Sequence, residues 1–321
     1  MDNLLVSIII PTYNNADKIV ETLDTVFNQT YDNIEVIVID DGSTDKTEDV
    51  VLSYKVAVHQ NKKLIYYKQD NAGAPAARNK GLEMATGTLV KFLDSDDVLY
   101  DNDVLNKQVN FLNEGGYDIV YGTEVYYQDN FKEENILRQR GNHIDPNVPK
   151  TFWKYVPITS NFLLKKGANP QDYRWNELLK RSQEFYLLFN YFLRNAKFGF
   201  IDIKAVKIRI HDSPYRISNK PKQNIIKQIA QSSSFMRDDI ARLKPDDTKL
   251  KAHFNFGILV HSLYAYKVKD MESYKTFKSL MFKVPASSYS LKQRIILNVS
   301  KISPVLGNIS NKITVRLARY I

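Results

Sequence analysis

The chain has 321 residues, 43% of them apolar, enough for one large domain or one domain with an appendage and a core of its own. It contains no cysteine, which excludes disulfides, thiolate zinc sites and a cysteine nucleophile and fits a reducing compartment. The net charge of +9 is uneven: from Ala286 to Ile321 there is no acid, while Lys292, Arg294, Lys301, Lys312, Arg316 and Arg319 give +6, so the tail is expected to meet an anionic surface.

The opening Met1-Asp2-Asn3-Leu4-Leu5 lacks the basic n-region of a secretory leader. No run approaches the roughly 20 apolar residues of a membrane-spanning helix. The expected location is therefore cytoplasmic, with peripheral contact at the inner face of the membrane.

Strand and helix signals alternate through the first half. Val6 to Ile10 is a β-branched run closed by Pro11 and reads as a buried strand. Ile19, Leu23, Val26 and Phe27 have helical spacing. Ile34 to Ile39 is a second strand stopped by Asp40-Asp41-Gly42-Ser43, with Ser43 or Thr44 placed to cap the next helix, through Val50 to Tyr54. Leu64 to Tyr67 is a third strand, Ala74 to Ala85 a helix stopped by Gly87, and Leu89 to Leu93 a fourth strand ending at Asp94. Val104 to Leu112 is a helix closed by Gly115-Gly116, and Ile119 to Thr123 a fifth strand. Asp129 to Pro149 reads as a polar loop, Trp175 to Leu193 as a helix carrying Glu184, and Ile201 to Ile210 as a strand followed by His211. Lys220 to Lys222 reads as a linker; beyond it Ile225 to Arg242 and His253 to Tyr266 are helical.

This alternation predicts an α/β fold with a mostly parallel sheet, in which ligands sit off the carboxyl ends of the strands. Three polar clusters fall there: Pro11-Thr12-Tyr13-Asn14, Asp40-Asp41-Gly42-Ser43 and Asp94-Ser95-Asp96-Asp97. Two carboxylates two residues apart can converge on Mg²⁺ or Mn²⁺, which keeps places for phosphate oxygens. Asp97 reads as a cap. Asn71-Ala72-Gly73 followed by Ala77-Arg78-Asn79 sets a guanidinium, the natural diphosphate clamp, one turn beyond a glycine. Taken singly, each cluster is better explained by an ordinary solvated turn or a surface arginine.

Taken in order, these four motifs resemble the inverting family 2 glycosyltransferases with the GT-A fold, strongly from Val6 to about Tyr121 and more weakly to about Ser218. The resemblance implies a nucleotide pocket lined by Pro11, Tyr13 and Asn14, with Asp41 holding the base, uracil by expectation. Asn71, Gly73 and Arg78 would border the diphosphate and donor sugar, Asp94 would approach the ribose or sugar, and Asp96 would ligate the metal. The family's general base usually sits in a Glu-Asp or Gln-Asp pair opening a helix. The matching stretch here is Ser182-Gln183-Glu184-Phe185, with Glu184 standing where an Asp is usual. Arg209-Ile210-His211 resembles a later Arg-x-His segment, so His211 is expected to complete the metal shell or touch the diphosphate. His59, His143, His253 and His261 lack such context and read as structural. Trp153, Tyr155 and Trp175 are the aromatic candidates for stacking on an acceptor sugar.

The implied organisation is a GT-A domain over 1–218 and a helical C-terminal region over 219–321. The implied reaction is inverting transfer of a sugar from a UDP-sugar to a hydroxyl of a glycan acceptor, lipid-linked by expectation, in bacterial surface polysaccharide assembly. Alternatives are a protein-linked glycan or teichoic acid acceptor, or a catalytically idle sugar-nucleotide-binding protein. The segment 290–321 mixes aliphatic and basic residues and reads either as an interfacial membrane contact or as a terminal helix pair packed on the body, split at Pro304 and Gly307. Nucleic acid is not an expected partner, because the charge lies in the tail and not on an aromatic-interleaved face.

Overall fold

A computed structural model of the chain describes residues 4–57, 63–144, 152, 155–167, 174–211, 225–290 and 293. The first third is a run of βα units: strands Val6–Thr12 (β1), Ile34–Asp40 (β2), Lys63–Lys68 (β3) and Leu89–Phe92 (β4), joined by helices Ile19–Phe27 (α1), Thr47–Ala57 (α2) and Ala74–Met84 (α3). These strands lie in the order β3-β2-β1-β4, all parallel, and Thr12 pairs with Asp40, so the polar exits of β1 and β2 emerge side by side, with the β4 exit on the other side of β1.

β1 and β2 are buried along their whole length because both faces of the sheet are covered. Ile9, Ile37, Ile39 and Phe92 enter one apolar layer, while Ile8, Ile10, Val36 and Val38 enter the other, the period-2 alternation of a strand. α1 closes the second layer with Ile19, Leu23 and Val26 at i, i+4 and i+7. Burying each of these aliphatic side chains contributes about 2 kcal/mol. On the first layer α3 lies tightly on β1: a Cβ at Gly81 would meet Ile9 Cγ2 at 2.3 Å.

The second half of the sheet departs from the expected parallel pattern. It adds Val98–Leu99 (β5), helix Val104–Gly115 (α4), Ile119–Gln128 (β6), Ile136–Arg140 (β7), Leu163–Lys165 (β8), helix Gln183–Leu193 (α5) and Phe198–Ile210 (β9). β8 runs antiparallel to both β4 and β6, β6 is parallel to β9, and β5 is antiparallel to β9. The sheet is mixed. β7 forms a hairpin with β6 inside the stretch that reads as a loop; its residues Ile136-Leu137-Arg138-Gln139-Arg140 are exposed or half-buried, so no apolar alternation marks the strand. The helix expected from Trp175 begins only at Gln183, after an irregular segment. The start of α2 is also held differently: Asp45 Oδ1, and not Ser43 or Thr44, accepts from Thr47 N at 2.9 Å.

Helices Ile225–Leu243 (α6), Thr248–Lys267 (α7) and Met271–Leu280 (α8) follow. Asp247 and Asp270 cap the last two, accepting from Leu250 N at 2.8 Å and Ser273 N at 3.0 Å. Met236, Ile240, Phe254, Ile258 and Phe277 share one continuous apolar core with α5 and the sheet. The expected boundary near 218, the linker at 220–222 and Trp153 lie outside the described residues, as does the 290–321 tail apart from Ser290 and Gln293. Among the described residues no helix is long and apolar enough to cross a membrane.

Candidate active site

The three strand-end clusters are tied to one another by short polar side chains. Asn14 takes the left-handed conformation that asparagine tolerates, φ 48°. Its N–H donates to Ser43 Oγ at 2.9 Å and its Oδ1 accepts from Thr44 N at 2.8 Å, joining the β1 and β2 exits. Asn15 Nδ2 donates to Ser95 O at 2.7 Å, joining β1 to the β4 exit. From α1, buried Thr22 Oγ1 lies 3.0 Å from Ser95 O and 2.8 Å from Asp97 O. The main chain around Asp96 is thus fixed from outside, leaving its carboxylate directed by geometry and not by local turn bonds.

Asp41 organises the next loop. Its Oδ1 accepts from Gln69 Nε2 at 2.8 Å and Ala72 N at 2.9 Å, and its Oδ2 accepts from Gly73 N at 2.8 Å. A carboxylate offers about four acceptor positions, so the 69–73 loop engages most of this one. Gly42 makes the approach possible: it has φ 81°, and a Cβ there would stand 3.0 Å from Asn71 N.

Arg78 is the buried junction of the cleft. Nη2 donates to Asp94 Oδ1 at 2.7 Å, Nη1 donates to Gln183 Oε1 at 3.1 Å, and the guanidinium stacks 4.5 Å from the centre of the Trp175 ring. Its neighbour Asn79 clamps Trp175 by the backbone, accepting from Trp175 N at 2.8 Å and donating to Trp175 O at 2.9 Å. Helix α3 therefore holds both the Asp94 carboxylate and the segment leading into α5. Trp175 is buried and packs edge-to-face on Phe92 with centroids 5.0 Å apart. It is a support for Arg78, which corrects its reading as an open sugar-stacking platform.

Glu184 sits in the first turn of α5, half-buried and facing the cleft. Desolvation raises its pKa; its own backbone hydrogen bond and Arg78 oppose this, while Asp94 and Glu124 add to it. Asp96 Oδ2 and His211 Nε2 lie 2.8 Å apart. Asp97 is not a cap. It is buried, accepts from Ser160 Oγ at 2.6 Å and from Arg209 N at 3.3 Å, and burial beside Asp96 and Asp94 pushes its carboxyl well above the usual range. Arg209 spans the same floor, donating to Asp96 O at 3.3 Å and Asp129 O at 2.7 Å and pairing with Glu21.

The eleven residues expected to serve as base, metal ligand or nucleotide-sugar contact line one cavity of about 1040 Å³: Pro11, Tyr13, Asn14, Asp41, Asn71, Gly73, Arg78, Asp94, Asp96, Glu184 and His211. Of the opposite wall, sequence reasoning named only Tyr155. Tyr126, Arg140 and Tyr155 line it, with buried Glu124 behind them accepting from Tyr126 OH at 2.8 Å, Tyr155 OH at 2.9 Å and Ile158 N at 2.9 Å. Val156, Phe185, Ile225 and Ile229 add an apolar stretch. An acidic residue inside the aromatic run of β6 is the one signal that marked Glu124. Among the described residues no three His, Asp or Glu side chains gather around a common metal position. Asp96 and His211 could supply one oxygen and one nitrogen to a divalent cation, a pair that would suit Mn²⁺ better than Mg²⁺.

The family model described as Glycosyl transferase family 2 matches residues 7–172. An uncharacterized glycosyltransferase of Rickettsia typhi is 43% identical over 219 residues, 65% of this chain and 65% of the relative. One of Rickettsia felis is 24% identical over 306 residues, 92% of this chain but 48% of the relative, so the chain spans about half the length of that protein. The Bacillus subtilis glycosyltransferase TuaG, named for teichuronic acid biosynthesis, is 43% identical over 113 residues, 34% of this chain and 42% of its own. Among solved structures, Staphylococcus aureus TarS 1–349 in complex with UDP-GlcNAc has a TM-score of 0.71 at 18% identity, covering 96% of this chain and 92% of that one. The mannosyltransferase PcManGT of Pyrobaculum calidifontis, in complex with GDP-Man and Mn²⁺, has a TM-score of 0.55 at 17% identity, covering 99% and 85%. The fold is that of the GT-A glycosyltransferases, and with more than half its length matched by the family model the chain belongs to glycosyl transferase family 2.

Proposed function

We propose that this cleft moves a sugar from a UDP-sugar to a hydroxyl of a glycan acceptor with inversion at the anomeric carbon. The observation that carries the reading is the convergence of Arg78, Asp94, Asp96, His211 and Glu184 on one cavity, with Arg78 joined to Gln183 at the foot of the helix that bears Glu184. Pro11, Tyr13 and Asn14 would line the nucleotide, and Asp41 would shape its pocket through the 69–73 loop while keeping one acceptor position for the base. Asn71, Gly73 and Arg78 would border the diphosphate, and Asp94, oriented by Arg78, the donor sugar.

Glu184 would take the proton of the acceptor hydroxyl as the oxygen attacks the anomeric carbon in line. The bond from that carbon to the diphosphate oxygen breaks, and UDP leaves with the electron pair. Desolvation makes the Glu184 carboxylate a stronger base than an exposed one. Asp96 and His211 would hold a divalent cation, which when bound neutralises charge developing on the leaving diphosphate. The UDP-GlcNAc complex of TarS supports a uridine nucleotide, and the Mn²⁺ complex of PcManGT supports a metal. The name of TuaG supports a cell-surface glycan as acceptor.

A thermal-shift screen of UDP-, GDP- and dTDP-sugars with and without Mn²⁺ tests the reading. A UDP-sugar at 100 times its Kd should add about 2.7 kcal/mol of stability, in a metal-dependent way. If no nucleotide sugar stabilises the chain, the proposal fails.

A further inference from the structure

Charge divides this molecule sharply. Residues 225–321 carry 17 basic and 6 acidic side chains, a net +11, whereas residues 1–224 carry 28 basic and 30 acidic, a net −2. The part bearing the cleft motifs is slightly acidic; residues 225–290, which hold α6 to α8, carry 11 basic and 6 acidic side chains, and residues 291–321 carry the other 6 basic ones and no acid.

The turn between α7 and α8 concentrates a second property. Of the nine large apolar side chains that stand exposed among the described residues, three fall within eight positions of one another here: Tyr264, Val268 and Met271, at 53%, 45% and 43% exposure. Around them Lys267, Lys269, Lys275 and Lys278 are also exposed. Met271, Lys275 and Lys278 follow one helical stripe at i, i+4 and i+7, and Tyr264, Lys267 and Val268 share another at i, i+3 and i+4. The two acids of the turn are engaged: Asp270 caps α8 through Ser273 N and Oγ, and Glu272 pairs with Lys227 at 2.7 Å.

That last ion pair locates the turn. Lys227 lies in the first turn of α6, two residues from Ile225 and Ile229, which line the cleft, and so stands on the opposite face of the helix. The exposed apolar tip therefore backs the helix whose other face lines the cavity.

We propose that the α7–α8 turn is a docking surface for an anionic phospholipid bilayer. A soluble polyanion would answer the lysines but offers nothing to Tyr264, Val268 and Met271. An anionic interface answers both, taking apolar side chains to the headgroup boundary while lysines face the negative leaflet.

The test uses the full chain without donor or acceptor, so its outcome is independent of glycosyl transfer. Sedimentation with phosphatidylcholine vesicles, with and without phosphatidylglycerol, is compared for the wild type and for Tyr264→Ser/Val268→Ser/Met271→Ser. Size-exclusion and a polyphosphate-binding arm run alongside. The expected result is partition onto phosphatidylglycerol vesicles that falls about tenfold or more in the triple variant, with Tm unchanged because all three side chains are exposed. Lys269→Gln and Lys275→Gln should each weaken it about fivefold. Three results overturn the proposal: triple-variant partition equal to wild type, wild type bound by polyphosphate but not by vesicles, or a dimer abolished by the triple variant without any vesicle binding.

Discussion

The proposed nucleotide side of the cleft is made from strand exits that are neighbours in the sheet, while the side with the proposed base and metal pair is assembled across much longer stretches of chain. Asp41 engages partners 28 to 32 residues away, and Asn14 reaches Ser43 over 29. Asn79 meets Trp175 over 96 residues, Arg209 N meets Asp97 over 112, and His211 meets Asp96 over 115. The first set is fixed once three parallel βα units pair. The second exists only after β8, β6 and β9 have closed the sheet and α5 has docked on α3. In such a molecule nucleotide binding and catalysis should be separable by mutation.

Glu184→Gln should show that separation most clearly. Loss of a general base predicts a fall in transfer of about 1000-fold, with donor-dependent thermal stabilisation kept; unchanged turnover would remove Glu184 as the base. In the wild type kcat/KM should rise with pH through the raised Glu184 pKa, because the base acts only when ionised. The same shift has a stability sign. The folded state holds the proton more tightly, so stability declines as pH rises from the ordinary glutamate value to the raised one, and the variant should lack that decline.

Asp96→Asn crosses the two sides, since its carboxylate comes from a strand exit and its partner His211 from the end of β9. Transfer should drop roughly 100-fold or more, and Mn²⁺ should no longer increase the thermal shift given by the donor. A variant that keeps its full Mn²⁺ response would move the metal elsewhere.

Asn79→Ala attacks the joint between the sides. It orphans the backbone N–H and C=O of Trp175 and should cost about 2 kcal/mol in denaturant unfolding. Transfer should fall about tenfold or more through misplacement of α5, whereas donor Kd, read by titration, should stay near wild type. A parallel loss of donor affinity would mean the two sides are not separable at this joint.

The smallest effect concerns Lys91, buried on β4 with its Nζ 3.3 Å from Gln108 Oε1 and from Asn161 O. Burial lowers its pKa to about 7. Below that pH the fold carries the whole cost of a buried ammonium, and the cost is relieved as pH rises from about 7 toward the ordinary lysine value. Lys91→Met should raise Tm at pH 6 and flatten the dependence over that window, since Gln108 Nε2 still donates to Asn161 O at 3.0 Å. A lower Tm at pH 6 would show that the lysine stabilises this interior.

Local chemistry wrote much of this protein directly into its sequence. The β-branched runs of β1 and β2, the helical stripe of α1 and the clusters after β1, β2 and β4 are short-range patterns, and the parallel units follow from them. The family likewise rests on four motifs within the first hundred residues. What the sequence left open was decided by long-range packing. β7 has no apolar alternation because it is a polar edge that, among the described residues, pairs only with β6. Trp175 looked like an open ring and is a buried support because Asn79, 96 residues earlier, clamps its backbone. Asp97 looked like a cap and became a buried acid because Ser160 and Arg209 close over it. Their partners stand 63 to 112 residues away in the chain, so no window of neighbouring residues holds the information; only the closed sheet does.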